Sequence, residues 1–193
     1  MDQKVHDLIS KYLGDLYALE SHGLEALTGQ VNDLKKENQP NALRACQNFQ
    51  LTIQAHVNDL EARLKVIGAS PASGVKSAVT AAAGTIAGVY NAVRSEPTSK
   101  AIRDDYAFLS LDAISHLMLH TTALSLGDVE TANLADRGYR DCARMIMEID
   151  KIMPELVLEE LGEDKLAPKA IAEECHHLIS DSWNRQAASM GMK

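Results

Sequence analysis

The residues whose types and spacing could bind a metal ion lie between Ser99 and Leu126. Asp112, His116 and His120 follow one another at intervals of four residues. In a helix, side chains at this spacing lie on the same face, one turn apart. A His-x3-His pair on such a face can chelate a metal ion, and the carboxylate extends the same stripe. The alternative is that three polar groups line a helix interface and bond to neighbouring groups or to water.

Glu20 is a carboxylate on a predicted helical stripe that is otherwise apolar. Leu16 lies one turn before it and Leu24 one turn after it. A charge in that position is unfavourable unless it is protonated or paired with a cation. We therefore expect Glu20 to point into the protein and to have a functional role, the alternative being a rotation that moves it to the helix edge. His56 borders the apolar face of the next helix, as a ligand or as a hydrogen-bonded edge residue.

The elements that must position these residues are helices, because apolar residues recur every three to four positions along most of the chain. Pro40 suits the start of a second helix, Gly68 its end, and Gly127 followed by Asp128 a stop and restart. The predicted helices are about Gln3–Lys36, Pro40–Ile67, Ser99–Leu126, Asp128–Met153 and Lys169–Ala187. Pro154 is expected either to kink the fourth helix or to begin a separate helical turn through Leu161.

The inward faces of the later helices are also predicted from this spacing. The third helix is expected to bury Ile102, Tyr106, Leu109, Ala113, Leu117 and Leu124. The fourth is expected to bury Ala132, Ala135, Tyr139, Cys142, Ile146, Ile149 and Met153. The last is expected to bury Ile171, Cys175, Leu178 and Trp183, with His176 and His177 at its edge.

The connections between the helices predict the fold. Short links join the first helix to the second and the third to the fourth, whereas Ala69–Pro97, rich in small residues, separates the second from the third. This arrangement gives two antiparallel pairs with the second and third helices parallel. We therefore predict an all-α fold, a ferritin-like four-helix bundle with a long helical crossover, over residues 1–161. Residues 162–193 are expected to form a C-terminal helical extension packed on or beside it.

Composition narrows the function further. The 193 residues are 46% hydrophobic but only 4% aromatic, which favours an aliphatic helical core, and the net charge of −8 without a basic cluster argues against nucleic-acid binding. Cys46, Cys142 and Cys175 form no CxxC pair and are expected to be reduced thiols. No signal peptide or membrane span is expected, so we predict a cytoplasmic protein that forms a homo-oligomer, with a dimer as the expected form.

The segment LGDLYALESHGLEAL, residues 13–27, resembles the first-helix signature of the ferritin-like YciE/YciF-type bacterial stress proteins. The residues that fit the pattern Leu-x-Asp-Leu-Tyr-x-x-Glu are Asp15, Leu16, Tyr17 and Glu20. Further similarity lies at Val57, Leu60, Glu61 and Gly68, and at the join of residues 123–128. The likeness covers roughly residues 5–155. It implies a four-helix bundle with a carboxylate and histidine metal site, in which Glu20 matches the first-helix ligand and Asp112 falls near the third-helix carboxylate, one methylene shorter.

The sequence departs from that family at two other ligand positions. Thr52, with His56 one turn later, stands where the second helix usually has a Glu. Asp141 and Arg144 replace the Glu-x-x-His of the fourth helix. An arginine beside a cation site is repulsive, and it would neutralise the bundle centre if it reached Glu20 or Asp141. These departures argue against a standard di-iron site and leave a mononuclear, histidine-rich site or none.

Two functions are consistent with these observations. The first is a metal-binding, stress-related protein that holds iron, zinc or manganese. Its predicted ligands are Glu20, His56, Asp112, His116 and His120. The second is a non-catalytic helical bundle for interaction or oligomerisation, with an unknown protein partner, no metal and a hydrogen-bonded network of these groups. No nucleophile motif, P-loop or dinucleotide fingerprint occurs, which disfavours a hydrolase or transferase.

Overall fold

The structure, a computed structural model, describes residues 3–69, 97–162 and 167–191, with the side chains of residues 186–188 left out. Those residues form five α-helices and no strand. The helices are α1 (Gln3–Leu34), α2 (Pro40–Val66), α3 (Thr98–Ser125), α4 (Val129–Glu160) and α5 (Pro168–Ser189). The prediction of an all-α helical bundle is therefore confirmed. The helical character predicted for the crossover between α2 and α3 concerns residues outside the described ranges.

The helix ends follow local backbone chemistry. Gly68 and Gly127 adopt φ values of 76° and 75°, in the left-handed region that glycine enters without a steric penalty, just after α2 and α3. Pro40 occupies the first turn of α2, where no backbone donor is needed. Pro154 neither ends nor divides α4, which continues to Glu160.

Side-chain contacts define the helix directions. Gln50 of α2 bonds to Thr28 of α1 at 2.8 Å, whereas His56, further along α2, bonds to the earlier Glu20 at 3.1 Å. Those two helices are therefore antiparallel. On α3, Phe108 packs at Gly23 and the later His116 bonds to Glu20, so α3 is also antiparallel to α1. It follows that α2 and α3 are parallel, as predicted.

The bundle core is aliphatic, as the low aromatic content predicts. Its largest fully buried side chains are Ile9, Leu13, Leu27, Phe49, Ile53, Leu60, Leu64, Ile102, Leu109, Leu119, Ile149 and Leu156. The predicted inward face of α3 is wrong in part, since Leu117 and Leu124 are 39% and 55% exposed and Leu119 is buried instead. Leucines occur on both faces of this helix, so periodicity alone does not fix its rotation. Tyr139 of α4 is likewise 38% exposed.

Helix α5 lies against α4 through polar contacts. The imidazole of His176 bonds to the backbone carbonyl oxygen of Lys151 at 2.9 Å, and the Trp183 indole N–H donates to Asp150 at 3.1 Å. The expectation that Ile171, Leu178 and Trp183 are buried is wrong, because they are 38%, 67% and 50% exposed. A single helix on the outside of a bundle buries only a narrow stripe, and here α4 alone supplies the contacts named. The division into a bundle and an extension stays a prediction.

A part-buried polar cluster lies at the join between α3 and α4. Asp128 caps α4 by accepting from the backbone N–H of Thr131 at 3.0 Å, and its carboxylate pairs with the Arg63 guanidinium at 2.6 Å. Burial would raise the pKa of Asp128, but the hydrogen bonds from Arg63 and Thr131 outweigh it and hold that pKa below its usual value. Within the described ranges, no helix combines the length and apolarity needed to cross a bilayer.

We expect Asp128→Ala to lower the free energy of unfolding by about 2–3 kcal/mol, because it removes a helix cap and leaves Arg63 without its carboxylate. Urea denaturation followed by circular dichroism measures the change. The control is Asp136→Ala, which removes an exposed carboxylate paired with Arg140 on the same helix and is expected to have little effect. Equal losses in the two variants would contradict a special role for the part-buried cluster.

Candidate metal centre

Side chains from all four bundle helices meet at one level of the core. Glu20 comes from α1, His56 from α2, Asp112 and His116 from α3, and Cys142 from α4. Glu20, Asp112 and Cys142 have no exposed surface, His116 is 1% exposed and His56 is 9% exposed. The prediction that Glu20 points into the bundle is confirmed. The helical stripes bring these polar groups together because each lies on the inward face of its helix.

One carboxylate oxygen of Glu20 is hydrogen-bonded to the imidazoles of both His116 and His56. His116 Nε2 lies 2.8 Å and His56 Nδ1 lies 3.1 Å from Glu20 Oε1. The other ring nitrogen of His56, Nε2, lies 3.1 Å from a carboxylate oxygen of Asp141. Burial would lower the pKa of His56, but the hydrogen bond to Glu20 and the nearby carboxylate charges outweigh it, so the pKa lies above its usual value. A doubly protonated ring that donates to both carboxylates fits this environment.

Asp112 and Cys142 form the other half of the cluster. The Cys142 thiol donates to Asp112 Oδ2 at 3.2 Å. Burial, and then the charge of Glu20, raise the pKa of Asp112 well above its usual value. Burial and the Asp112 carboxyl also raise the pKa of the Cys142 thiol. In the absence of a cation, this half of the cluster therefore holds its protons.

The cluster has the donor set of a metal site. One ligand atom from each of His56, Asp112, His116 and Cys142 lies within 4.8 Å of all the others. When both carboxyls are ionised, three buried atoms around it have no hydrogen-bond partner, whereas a protonated Asp112 can bond to Glu20. The three atoms are Glu20 Oε2, Asp112 Oδ1 and His116 Nδ1. Buried polar atoms are normally paired, so these three mark a place where a ligand, a proton or water is needed. A transition-metal ion would supply that partner to both carboxylates.

The structure brings Cys142 into the cluster, which the sequence did not predict, and places the predicted ligand His120 outside it. Cys142 is predicted as an inward-facing core residue of the fourth helix, and its pairing with Asp112, 30 residues earlier, leaves no signal in that local pattern. His120 instead bonds through Nδ1 to the backbone carbonyl oxygen of Ala132 at 2.8 Å. Its side chain therefore supports the contact between α3 and α4, one turn beyond the cluster. His116 and His120 differ in which neighbouring helix their side chains face, and the spacing of apolar residues does not reveal this.

Arg144 lies at the surface and contacts the cluster only through Asp141. Its side chain is 76% exposed and its guanidinium pairs with Oδ1 of Asp141, whose other oxygen contacts His56. The sequence left open whether this arginine reaches Glu20 or Asp141, and in the structure it reaches Asp141 while its side chain stays exposed. Arg144 neutralises Asp141 at the surface without entering the core. The predicted repulsion at the bundle centre is therefore weakened by distance and by solvent.

Gly138 makes the position of His116 possible. A Cβ atom built on Gly138 would lie 2.0 Å from Cε1 and 2.4 Å from Nε2 of His116. Real Cβ atoms do not approach other heavy atoms so closely, so the imidazole occupies space that any larger residue would take. The ring of His116 is also edge-on to that of His56, with centroids 5.4 Å apart.

Comparison with known proteins supports the fold and gives no activity. No protein-family model and no curated protein matches the sequence. A crystal structure of a protein from Xanthomonas campestris pv. campestris is similar, with a TM-score of 0.67 and 17% sequence identity. The match covers 84% of this chain and 99% of that one. At this level of identity the likeness shows a shared fold alone.

Proposed function

We propose that the protein is a ferritin-like helical bundle that binds one divalent transition-metal ion in its core. The proposed ligands are Glu20, His56, Asp112, His116 and Cys142. The observation that carries the proposal is the convergence of five buried donor groups from four helices, three of whose atoms lack a hydrogen-bond partner. Two buried carboxylates in one cluster repel each other unless a cation or protons neutralise them. Metal binding would do so and would displace the protons of Asp112 and Cys142.

The donor types favour zinc or iron over manganese. Imidazole and thiolate ligands suit zinc and iron, whereas manganese prefers sites built from oxygen donors. The general order of divalent affinities also places zinc above iron and iron above manganese. The predicted set of iron, zinc and manganese is thereby narrowed by the presence of Cys142. When bound, the ion would supply Lewis acidity or redox chemistry. Glu20, Asp112 and Cys142, which have no exposed surface, would hold it on the side away from solvent.

A role in bacterial stress physiology and a cytoplasmic location belong to the same proposal. The first-helix resemblance to the YciE/YciF-type proteins supports the role in stress. The three cysteines support the cytoplasmic location, since all are free thiols and two of them, Cys46 and Cys142, are buried. Reduced thiols are typical of proteins in reducing compartments.

The second candidate is a bundle that binds no metal and works by association. It is favoured by the fact that both imidazoles already bond to carboxylates. Glu20 accepts from His116 and His56, and Asp112 accepts from Cys142. In this reading the raised pKa of Asp112 keeps it protonated, and the cluster is a polar network that fixes the register of the helices.

Metal titration of chelator-treated, untagged protein separates the two candidates. We expect one equivalent of zinc to bind, with iron(II) weaker and manganese(II) weakest, as measured by isothermal titration and elemental analysis. His116→Ala is expected to weaken zinc binding by about 100-fold or more, since even residues that only orient a ligand contribute about 10–100-fold. His120→Ala is the matched control and is expected to retain binding, because His120 faces Ala132 instead.

Each outcome of this titration has a definite meaning. No binding by the wild-type protein would remove the metal proposal and leave the polar network. An equal loss in His116→Ala and His120→Ala would restore His120 to the ligand set that the sequence predicted.

A further inference from the structure

A cleft of about 100 Å³ lies between α2 and α4 and connects solvent with the histidines of the cluster. Its mouth is lined by Ala55, which is exposed, and by Asp59 and Arg137, whose side chains are 59% and 61% exposed. Its inner end is lined by His56 and His116, and the side chain of His116 is 1% exposed. The cleft therefore runs from the surface to a buried imidazole.

The proposed ligands differ in their access to solvent. Glu20, Asp112 and Cys142 have no exposed surface and do not line the cleft. His56 is 9% exposed and lines it. An ion that comes through the cleft therefore meets the imidazoles first and the anionic ligands behind them. A buried metal site needs a path by which the ion reaches it, and this cleft leads directly to two of the proposed ligands.

The charges along the cleft favour a cation. Two carboxylates, those of Asp59 and Asp141, line it against the single guanidinium of Arg137. The two oxygens of Asp141 already contact His56 and Arg144, so Asp59 is the carboxylate available at the mouth. Asp59 lies 3.7 Å from Arg137, beyond hydrogen-bonding distance. An exposed ion pair of this length contributes little, so a divalent cation can displace the guanidinium at small cost.

We propose that this cleft is the route by which a divalent metal ion enters and leaves the core, and that Asp59 recruits the hydrated ion at its mouth. The proposal rests on the metal site proposed above and names the path to it. Asp59 is not a ligand of the bound ion. Its charge raises the local concentration of the cation, whereas that of Arg137 lowers it, so the two residues act on the uptake rate in opposite directions.

The test measures the rates at which cobalt(II), a coloured substitute for the native ion, enters and leaves the full-length protein. Uptake is followed by the visible absorption of the bound ion after rapid mixing, and release by trapping the ion with an excess of chelator. Ala55→Phe places a ring at the cleft mouth and is expected to slow both rates by the same factor, about tenfold or more. Because a narrowed route hinders both directions equally, the equilibrium affinity for cobalt is expected to stay unchanged.

Gln54→Phe is the matched control for the blocked mouth. It adds the same ring at the neighbouring exposed position of α2, outside the cleft, and is expected to take up and release cobalt at the wild-type rates. Wild-type rates in Ala55→Phe would overturn the route. A loss of affinity in that variant without slower uptake would overturn it as well, because the ring would then disturb the site and not the path.

Charge variants at the mouth test the role of Asp59. Asp59→Asn is expected to slow cobalt uptake by about three- to tenfold at low salt, and Arg137→Gln to speed it by a similar factor, with both differences shrinking as salt is added. Removing either member of an ion pair that only clamped α2 to α4 would loosen the cleft and speed uptake. Faster or unchanged uptake by Asp59→Asn would therefore overturn the recruiting role.

The charge controls are Asp136→Asn and Arg140→Gln. They remove the two members of an exposed ion pair that lies on α4 outside the cleft, and they are expected to leave cobalt uptake unchanged. An effect as large as that of the mouth variants would mean that net charge alone sets the rate, which would overturn recruitment by Asp59.

Equilibrium binding separates this proposal from the proposed function. If the wild-type protein binds no cobalt at equilibrium, the proposed function fails and the route fails with it. If one equivalent of cobalt binds but the mouth variants take it up like the wild type, the metal site stands and the route alone is overturned.

Discussion

Asp112→Asn is expected to abolish metal binding and, at the same time, to stabilise the metal-free protein at neutral pH. Asn keeps the shape of the protonated carboxyl and can still accept from the Cys142 thiol, but it cannot become an anionic ligand. Asp112 has no exposed surface, and burial followed by the Glu20 charge raises its pKa well above the usual value. We expect a gain of about 1–3 kcal/mol in the free energy of unfolding at pH 7, similar to that found when other buried charges are replaced.

The pH dependence has a definite sign. In the unfolded chain the carboxyl of Asp112 loses its proton near pH 4, whereas in the folded protein it keeps the proton to higher pH. At this group the folded state therefore binds more protons, and the contribution of Asp112 to the stability of the metal-free wild type falls as pH rises above about 4, until the folded carboxyl has also ionised. Asp112→Asn lacks this contribution, so its advantage over the wild type is expected to grow with pH.

The measurement is urea denaturation of chelator-treated proteins between pH 5 and pH 8, combined with zinc titration. Asp105→Asn is the control, because Asp105 is equally buried on α3 but lies two turns from Asp112. It is expected to leave zinc affinity unchanged. Metal-free Asp112→Asn that is less stable than the wild type at pH 7 would show that the charged carboxylate holds the fold together. Unchanged zinc binding would remove Asp112 from the ligand set.

The fold was largely predictable because its signals are local. Proline at the start of α2, glycine in the left-handed region after α2 and α3, and the capping aspartate of α4 each act within one turn of the chain. The predicted helix ends accordingly lie within two residues of the observed ones for α1, α2, α3 and α5. The exception is α4, where Pro154 is accommodated and the helix runs on for six residues.

The sequence predicted a site residue only where the pattern of its own helix was enough to identify it. Glu20 stands out because every neighbour on its stripe is apolar, and the structure buries it. On α3, both faces carry leucine, so the stripe that includes His116 could not be separated from its edge, where His120 lies. Cys142 gave no signal, because a cysteine on an apolar stripe packs like any small apolar residue. Cys142 becomes a candidate ligand only because the fold places it in contact with Asp112.

Gly138→Ala is expected to reduce zinc affinity by at least about tenfold and to lower the free energy of unfolding by about 1–2 kcal/mol. In an ordinary helix position this change would stabilise by about 1 kcal/mol, because alanine is the better helix former. Here the new methyl group would lie within 2.4 Å of three ring atoms of His116. Either the imidazole leaves its place 2.8 Å from Glu20, or α4 moves away from α3 and takes Cys142 with it. Overpacking of this kind costs about 1–3 kcal/mol.

Gly23→Ala separates an effect on the site from a general loss of stability. The Cβ atom of that residue would lie 2.1 Å from the ring of Phe108, so the overpacking is equally severe, but Phe108 ligates nothing. Gly23→Ala is therefore expected to lose similar stability and to keep its zinc affinity. Equal losses of zinc binding in both variants would mean that the metal responds to bundle stability alone. Normal zinc binding by Gly138→Ala would mean that His116 is not a ligand in the position that Gly138 allows it to occupy.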